Sequence, residues 1–249
     1  MLRKYYPTAA DYENLSRVAT ISEAAPPAMD FTGVVVNKPW GYEYLWYQSP
    51  AVAIWMLHLK PGASTSLHCH VSKRTAHVIL DGEVRFTTLD DAVRMQALDC
   101  VVLEPNVYHA SEALTTDGAF LMEIETPPVK HDLVRLRDRY ARAGTGYEGQ
   151  SEYSRELERY EYRPLRSVDG AGGLQFRSVR FQLCGVADRA TALALAGEHD
   201  LAIPLAEHAS EAQRCGLQVG DVLTAPSFRA EMFPPRFAPV EILFCKQAS

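Results

Sequence analysis

The sequence predicts an all-β protein, and three observations lead there. Short runs rich in Val, Ile, Leu, Tyr and Phe recur along most of the chain, Gly, Pro, Asn and Asp punctuate them, and sustained helical periodicity is confined to a few places. Between Phe31 and Thr126 the runs FTGVVV, YEYLWY, AVAIWMLHL, AHVIL, EVRFTT, CVVLE and AFLMEIE follow closely. Strands at that density predict a sandwich or barrel.

Ahead of these strands, in an extension over residues 1–30, Thr8 and Asp11 have the spacing of a capping box, with Asp in place of the usual Glu. A helix is expected from Thr8 to about Val18. At the other end of the first unit (31–145), HDLVRLRDRYARAG sets Leu133, Leu136 and Tyr140 at helical spacing with Gly144 as a stop, which predicts a closing helix. Its arginines are expected to pair with Asp132, Asp138 and Glu148 rather than form a basic patch. Residues 146–170, rich in Gly, Glu, Arg and Tyr, predict a linker or a strap across the surface. Strand-like runs return over 171–249 (LQFRSVRFQLCGV, TALALAG, DLAIPLA, DVLTAP, PVEILFC), and LQVGDVLTAP echoes ALDCVVLEPN of the first half. The echo suggests a second copy of the same fold.

Composition narrows the function. Lys and Arg number 25 against 31 Asp and Glu, a net charge of −6, which argues against a nucleic-acid binder. No run approaches the ~18 apolar residues of a membrane span, and MLRKYYPTAADYENLS lacks the core of a signal peptide, so a cytoplasmic protein without a membrane partner is expected. The five cysteines are scattered without a CxxC pair, and disulfides are not expected.

The most informative segment is Gly62-Ala-Ser-Thr-Ser-Leu-His68-Cys-His70, followed by Thr75, His77 and Gly82. On a strand, His68 and His70 project from one face, where two imidazoles can share a metal, while Cys69 points the other way into packing. His109, after LEPNVYH, is carried back to the pair if its strand is adjacent. Three neutral nitrogen donors suit one divalent transition metal (Zn, Fe, Mn, Co or Ni) and leave positions open. The second half has His199 and His208 but no H-x-H, so it is expected to be metal-free and to pack against the first barrel.

The pattern G-x5-H-x-H, a Gly twelve residues beyond the second His, and Leu98-Asp99-x5-Pro105-x3-His109 resemble the two motifs of the cupin superfamily. Within it the chain is most similar to the cupin domain that ends type II mannose-6-phosphate isomerases. Asn37-Lys-Pro-Trp-Gly-Tyr-Glu43, Pro61-Gly-Ala-Ser-Thr-Ser-Leu67 and Asp132-Leu-Val-Arg-Leu-Arg-Asp-Arg-Tyr140 carry that likeness, over about residues 33–143. The resemblance implies two cupin domains of double-stranded β-helix (jelly-roll) type with a few short helices, a bicupin. It also implies metal ligands at His68, His70 and His109, and a homodimer. Thr75 stands where the family's first motif carries a Glu ligand, His68 where the isomerases place Gln, and Leu98, Glu104 and Asn106 where the second motif usually has Gly, Pro and Gly.

The resemblance implies a metal-dependent isomerase or epimerase of a sugar phosphate, nucleotide sugar or similar polar carbonyl compound. His77, which shares a face with Thr75, and Glu104 are the first candidates for its acid and base. Lys73, Arg74 and Arg85 are candidates to bind the substrate's phosphate. Glu123 and Glu125 are also possible bases; they face away from Phe120, Met122 and Ile124, and either set could line the cavity. A triad without a carboxylate equally resembles the iron site of three-histidine dioxygenases, and a third alternative is a carbohydrate-binding cupin without catalysis.

Overall fold

The computed structural model describes residues 1–18, 29–142, 145–165, 173–207, 218–231 and 240–248. In chain order the first part comprises β1 (Leu2–Tyr5), helix α1 (Ala9–Val18), β2 (Val35–Lys38), β3 (Gly41–Gln48), β4 (Ala53–Leu59), β5 (Leu67–Cys69) and β6 (Arg74–Asp81). It continues through β7 (Val84–Thr88), β8 (Ala92–Met95), β9 (Cys100–Leu103), β10 (His109–Ala113), β11 (Ala119–Thr126), β12 (Val134–Arg137) and β13 (Tyr153–Ser154). The second part holds β14 (Leu174–Phe176), β15 (Val179–Val186), α2 (Arg189–Glu198), β16 (Leu201–Glu207), β17 (Leu223–Thr224), α3 (Ala225–Glu231) and β18 (Val240–Gln247). The expected all-β class holds. Among the described residues no helix is long and apolar enough to cross a membrane.

Two sheets make the first part, in the orders β1-β9-β6-β11-β4-β3-β2-β13 and β12-β5-β10-β7-β8. Alternation decides what each face of the larger sheet meets. Ala76, Val78 and Leu80 of β6, and Phe120, Met122 and Ile124 of β11, pack outward against Phe181, Leu201, Ile203 and Leu243 of the second part. Ile79, Leu121, Leu57 and Trp55 turn inward to meet Phe86, Val84 and Met95 of the smaller sheet. Burial on both faces explains why AVAIWMLHL and AFLMEIE read as nearly continuous apolar runs. The second part is one five-stranded antiparallel sheet, β14-β15-β18-β16-β17, with α2 and α3 against it. Where the sequence suggests a second copy of the first fold, the described residues form this sheet.

Helix α1 starts as its capping residues predict. Thr8 N and Thr8 Oγ1 both donate to Asp11 Oδ2, at 2.8 and 2.9 Å, and Asp11 Oδ1 accepts from Tyr108 N at 2.9 Å. Two helical expectations are corrected. HDLVRLRDRYARAG contains β12 and not a closing helix; Gly144 lies outside the described residues. Val134 and Leu136 pack in the cluster that holds Leu15 and Val18 of α1, while Arg135 turns into the protein and pairs in register with His68. The Leu spacing suits a helix, but pairing with β5 supplies the partner that selects the strand. Conversely TALALAG, expected as a strand, lies in α2: Asp188 caps it by accepting from Thr191 N, and Ala192 and Ala196 are buried one turn apart.

Candidate metal centre

Short β5 pairs with β10 so that His68 lies directly opposite His109, and His70 follows immediately after β5. The ligand atoms of His68, His70 and His109 all lie within 4.8 Å of one another, and the ring centroids are 4.5–5.5 Å apart. The expected triad is thus brought together.

Each ring is oriented by a backbone carbonyl. His68 Nδ1 lies 2.8 Å from Ser66 O, His109 Nδ1 lies 3.0 Å from Val107 O, and His70 Nδ1 bonds Asp132 O. A carbonyl only accepts, so Nδ1 carries the proton and the lone pair is left on Nε2. The Nε2 atoms of His70 and His109 are buried without a hydrogen-bond partner. Burial, then the neighbouring imidazoles, pushes His68 and His109 well below the ordinary histidine range, so both are neutral at pH 7. Neutral imidazoles with unpartnered, convergent lone pairs fit a divalent transition metal.

The surrounding loops hold this geometry. The Asp132 carboxylate accepts from Val71 N (2.9 Å), Ser72 N (2.6 Å) and Lys73 N (3.0 Å), fastening the turn after His70, and Asn106 N donates to His70 O at 2.6 Å. Asn106 and Leu98 have φ of 75° and 65°, the left-handed conformation, at the two positions where the resembled motif has glycine. The turn geometry survives the changed residue types.

β11 settles the open choice of faces. Glu123 and Glu125 point inward, and Glu123 stands opposite His77 of β6. Glu123 Oε1 is 3.6 Å from His70 Nε2 and 3.8 Å from His77 Nε2, close electrostatic contacts rather than hydrogen bonds. Burial opposes ionisation of Glu123, and the ammonium groups of Lys130 and Lys73 favour it. A carboxylate therefore reaches the histidines from a neighbouring strand, while Thr75 occupies its place in the motif. His77 lines the same cavity, its ring 5.3 Å from that of His109.

The cavity extends from His68 and His70 into a buried ionic cage. Lys73 pairs with Glu125 at 2.7 Å, Lys130 with Glu43 at 2.9 Å and Glu125 at 3.4 Å, and Lys38 with Glu43 at 3.4 Å. Lys130 Nζ also lies 3.6 Å over the Trp55 ring, and Tyr147 OH donates to Glu43. Burial raises the Glu43 pKa, but Lys130 and Lys38 outweigh it and bring it down to about 2. Burial pushes the Lys38 ammonium down against the pull of Glu43 and Glu148. Five cations (Lys38, Lys73, Lys130, Arg135, Arg142) face four carboxylates (Glu43, Glu123, Glu125, Glu148) around the wall.

Of the other expected site residues, Lys73 reaches the cavity. Glu104 follows β9, where its N donates to Tyr5 O, and does not line the cavity. Arg74 pairs with Asp221 at 2.7 Å, tying β6 to the second part, and Arg85 pairs with Glu112 at 3.1 Å on the outer side of the smaller sheet. Neither Arg74 nor Arg85 lines the cavity, because each occupies the other side of its strand. Cys69 is buried opposite the ligands, as expected. His208 lies outside the described residues. Sequence reasoning missed Lys38, Glu43, Lys130, Arg135 and Tyr147; the signal available for Lys38, Glu43 and Arg135 was a charge alternating with apolar residues inside a strand-like run.

Residues 55–125 match the family model Cupin_2, the cupin domain, and this segment runs from β4 into β11 and includes all three histidines. Over this segment the chain is similar to a cupin domain. No curated protein matches the chain. Among solved structures it is similar to KdgF from Halomonas sp. (15% identity, 36% of this chain and 82% of that one, TM-score 0.34). It is also similar to the capsular polysaccharide assembling protein CapF from Staphylococcus aureus (16% identity, 42% and 34%, TM-score 0.36). A third is a cupin-superfamily sugar phosphate isomerase from Silicibacter pomeroyi (16% identity, 39% and 60%, TM-score 0.32).

Proposed function

We propose that the protein is a metal-dependent isomerase or epimerase that moves a proton at the carbon beside a carbonyl group. Its substrate is an anionic, polyhydroxylated compound such as a sugar phosphate or nucleotide sugar, the class implied by the resemblance to type II mannose-6-phosphate isomerases. One observation carries this reading: the buried Glu123 carboxyl stands beside the His70 and His77 imidazoles in a shared cavity.

His68, His70 and His109 hold the ion, which when bound supplies Lewis-acid polarisation of the substrate's adjacent carbonyl and hydroxyl oxygens. Glu123 Oε1 accepts the proton from the carbon next to the carbonyl. It returns that proton to the neighbouring carbon in an isomerisation; in an epimerisation a second acid must deliver a proton to the opposite face of the same carbon. His77, 3.8 Å away, stands ready to relay a proton to a substrate oxygen. This gives the base to Glu123 in place of Glu104.

The test is proton exchange in deuterated water, followed by NMR, with metal-loaded protein and a panel of sugar phosphates and nucleotide sugars. Deuterium is expected at the carbon beside the carbonyl with loaded protein and not with stripped protein. Loaded protein that exchanges no proton across the panel overturns the assignment.

A three-histidine iron dioxygenase is the second reading, favoured by a ligand cluster that contains no carboxylate. It requires iron-specific activity with oxygen uptake, and turnover under strict anaerobiosis eliminates it. Sugar affinity unchanged by His68→Ala, in protein without stoichiometric metal, would instead support a binding module.

A further inference from the structure

The Glu148 carboxylate lies in the cavity wall and is met by three cations. Arg142 Nη1 is 2.6 Å and Arg135 Nη2 3.0 Å from Glu148 Oε1, and Lys38 Nζ donates to Oε2. Closing the strap does not require this much. Arg135 Nη1 already bonds the carbonyls of Thr145 and Gly146, and Lys38 and Arg142 have carboxylates of their own in Glu43 and Asp138, at 3.4 and 2.8 Å.

Arg135 is also only half used. Its Nη2 bonds Glu148, but Nε, on the same edge of the guanidinium and buried, has no partner. That edge binds an oxyanion best through both N–H groups at once. A phosphate, or a carboxylate arriving side-on, fills both where Glu148 fills one. Arg135 stands directly opposite His68 across the β5–β12 pair, so this place adjoins the histidine triad. An anion that takes this edge of Arg135 through both N–H groups meets Glu148 already on Nη2, so it enters by displacing a group already there.

We propose that the place held by the Glu148 carboxylate is the subsite for the anionic group of the substrate, a phosphate or a carboxylate, and that Glu148 is an internal stand-in which the substrate displaces. The inference rests on the proposed function in one respect, that the anion belongs to the substrate. Rotation of the Glu148 side chain vacates the subsite while the bonds from Arg135 to the carbonyls of Thr145 and Gly146 keep the strap in place.

The test is calorimetric titration of the full chain with inorganic phosphate and, separately, acetate. Wild type, Glu148→Gln and the double variant Glu148→Gln/Arg135→Gln are compared after circular dichroism has checked their folding. Glu148→Gln is expected to bind at least one of the two ions about tenfold more tightly than wild type, with the gain lost in the double variant. A gain for phosphate alone supports a phosphorylated substrate, and a gain for acetate alone a carboxylate one. Equal affinities in wild type and Glu148→Gln, or a gain that survives in the double variant, overturn the proposal. If Glu148→Gln does not fold, Glu148→Asp, which retracts the carboxylate by one methylene, carries the same expectations. No turnover is measured, so a failed exchange assay leaves the subsite standing, and an absent gain leaves the isomerase reading standing.

Discussion

His77 and Glu123 face each other across the β6–β11 pair, with Nε2 3.8 Å from Oε1 and both side chains buried. This pair puts a carboxylate and an imidazole against the rings of His70 and His109, beside a wall of paired cations and carboxylates.

Glu123→Gln keeps the side-chain size and removes the base. Proton exchange is expected to fall by about 10²–10⁴-fold while metal content stays stoichiometric. Deuterium incorporation and elemental analysis of the same preparation check both halves. Loss of the metal along with the activity would make Glu123 a ligand instead of a base.

Asp132 fixes His70 without touching the ligand position. Asp132→Ala leaves the backbone amides of Val71, Ser72 and Lys73 without their acceptor. Metal affinity is expected to drop by about 10–100-fold, read by competition with a chelator. Asp132→Asn, which keeps one acceptor oxygen, should fall between. Unchanged affinity in Asp132→Ala would show that the turn holds without its carboxylate.

Glu43 links stability to acid. Its carboxyl is held down to about 2 in the folded protein against 4.5 ordinarily, so its contribution is complete above pH 4.5 and is lost as pH falls toward 2. Glu43→Gln should be less stable than wild type at pH 7, and the gap should close below pH 4.5. Denaturant unfolding across that range measures it, and a gap independent of pH contradicts the assignment.

Asp11 joins α1 to the strand that carries His109. Asp11→Ala removes the helix cap and the acceptor for Tyr108 N, which is expected to cost about 1–3 kcal/mol in denaturant unfolding. A cost under ~0.5 kcal/mol would mean that water replaces both bonds.

β4, β6, β9 and β11 were legible because apolar residues fill both of their faces. β12 was read as a helix because Leu133, Leu136 and Tyr140 also satisfy a helical period, and the inward Arg135 hides the strand alternation. α2 was read as a strand because a short Ala and Leu run fits either element, and its Asp188 cap tipped the balance. The triad was legible because H-x-H places two rings on one face; the inward turn of Glu123 was not, because both faces of β11 are buried.

Local spacing and residue type determined the β class, the capped first helix and three histidines suited to one ion. The tertiary structure alone decided that Glu123 faces them, that Lys38, Arg135 and Glu148 share their cavity, and that Glu104, Arg74 and Arg85 do not. The physical reason is register. A one-residue slip in strand pairing reverses which side chains point inward, and register is set by packing between strands far apart in the chain, beyond the reach of any local pattern.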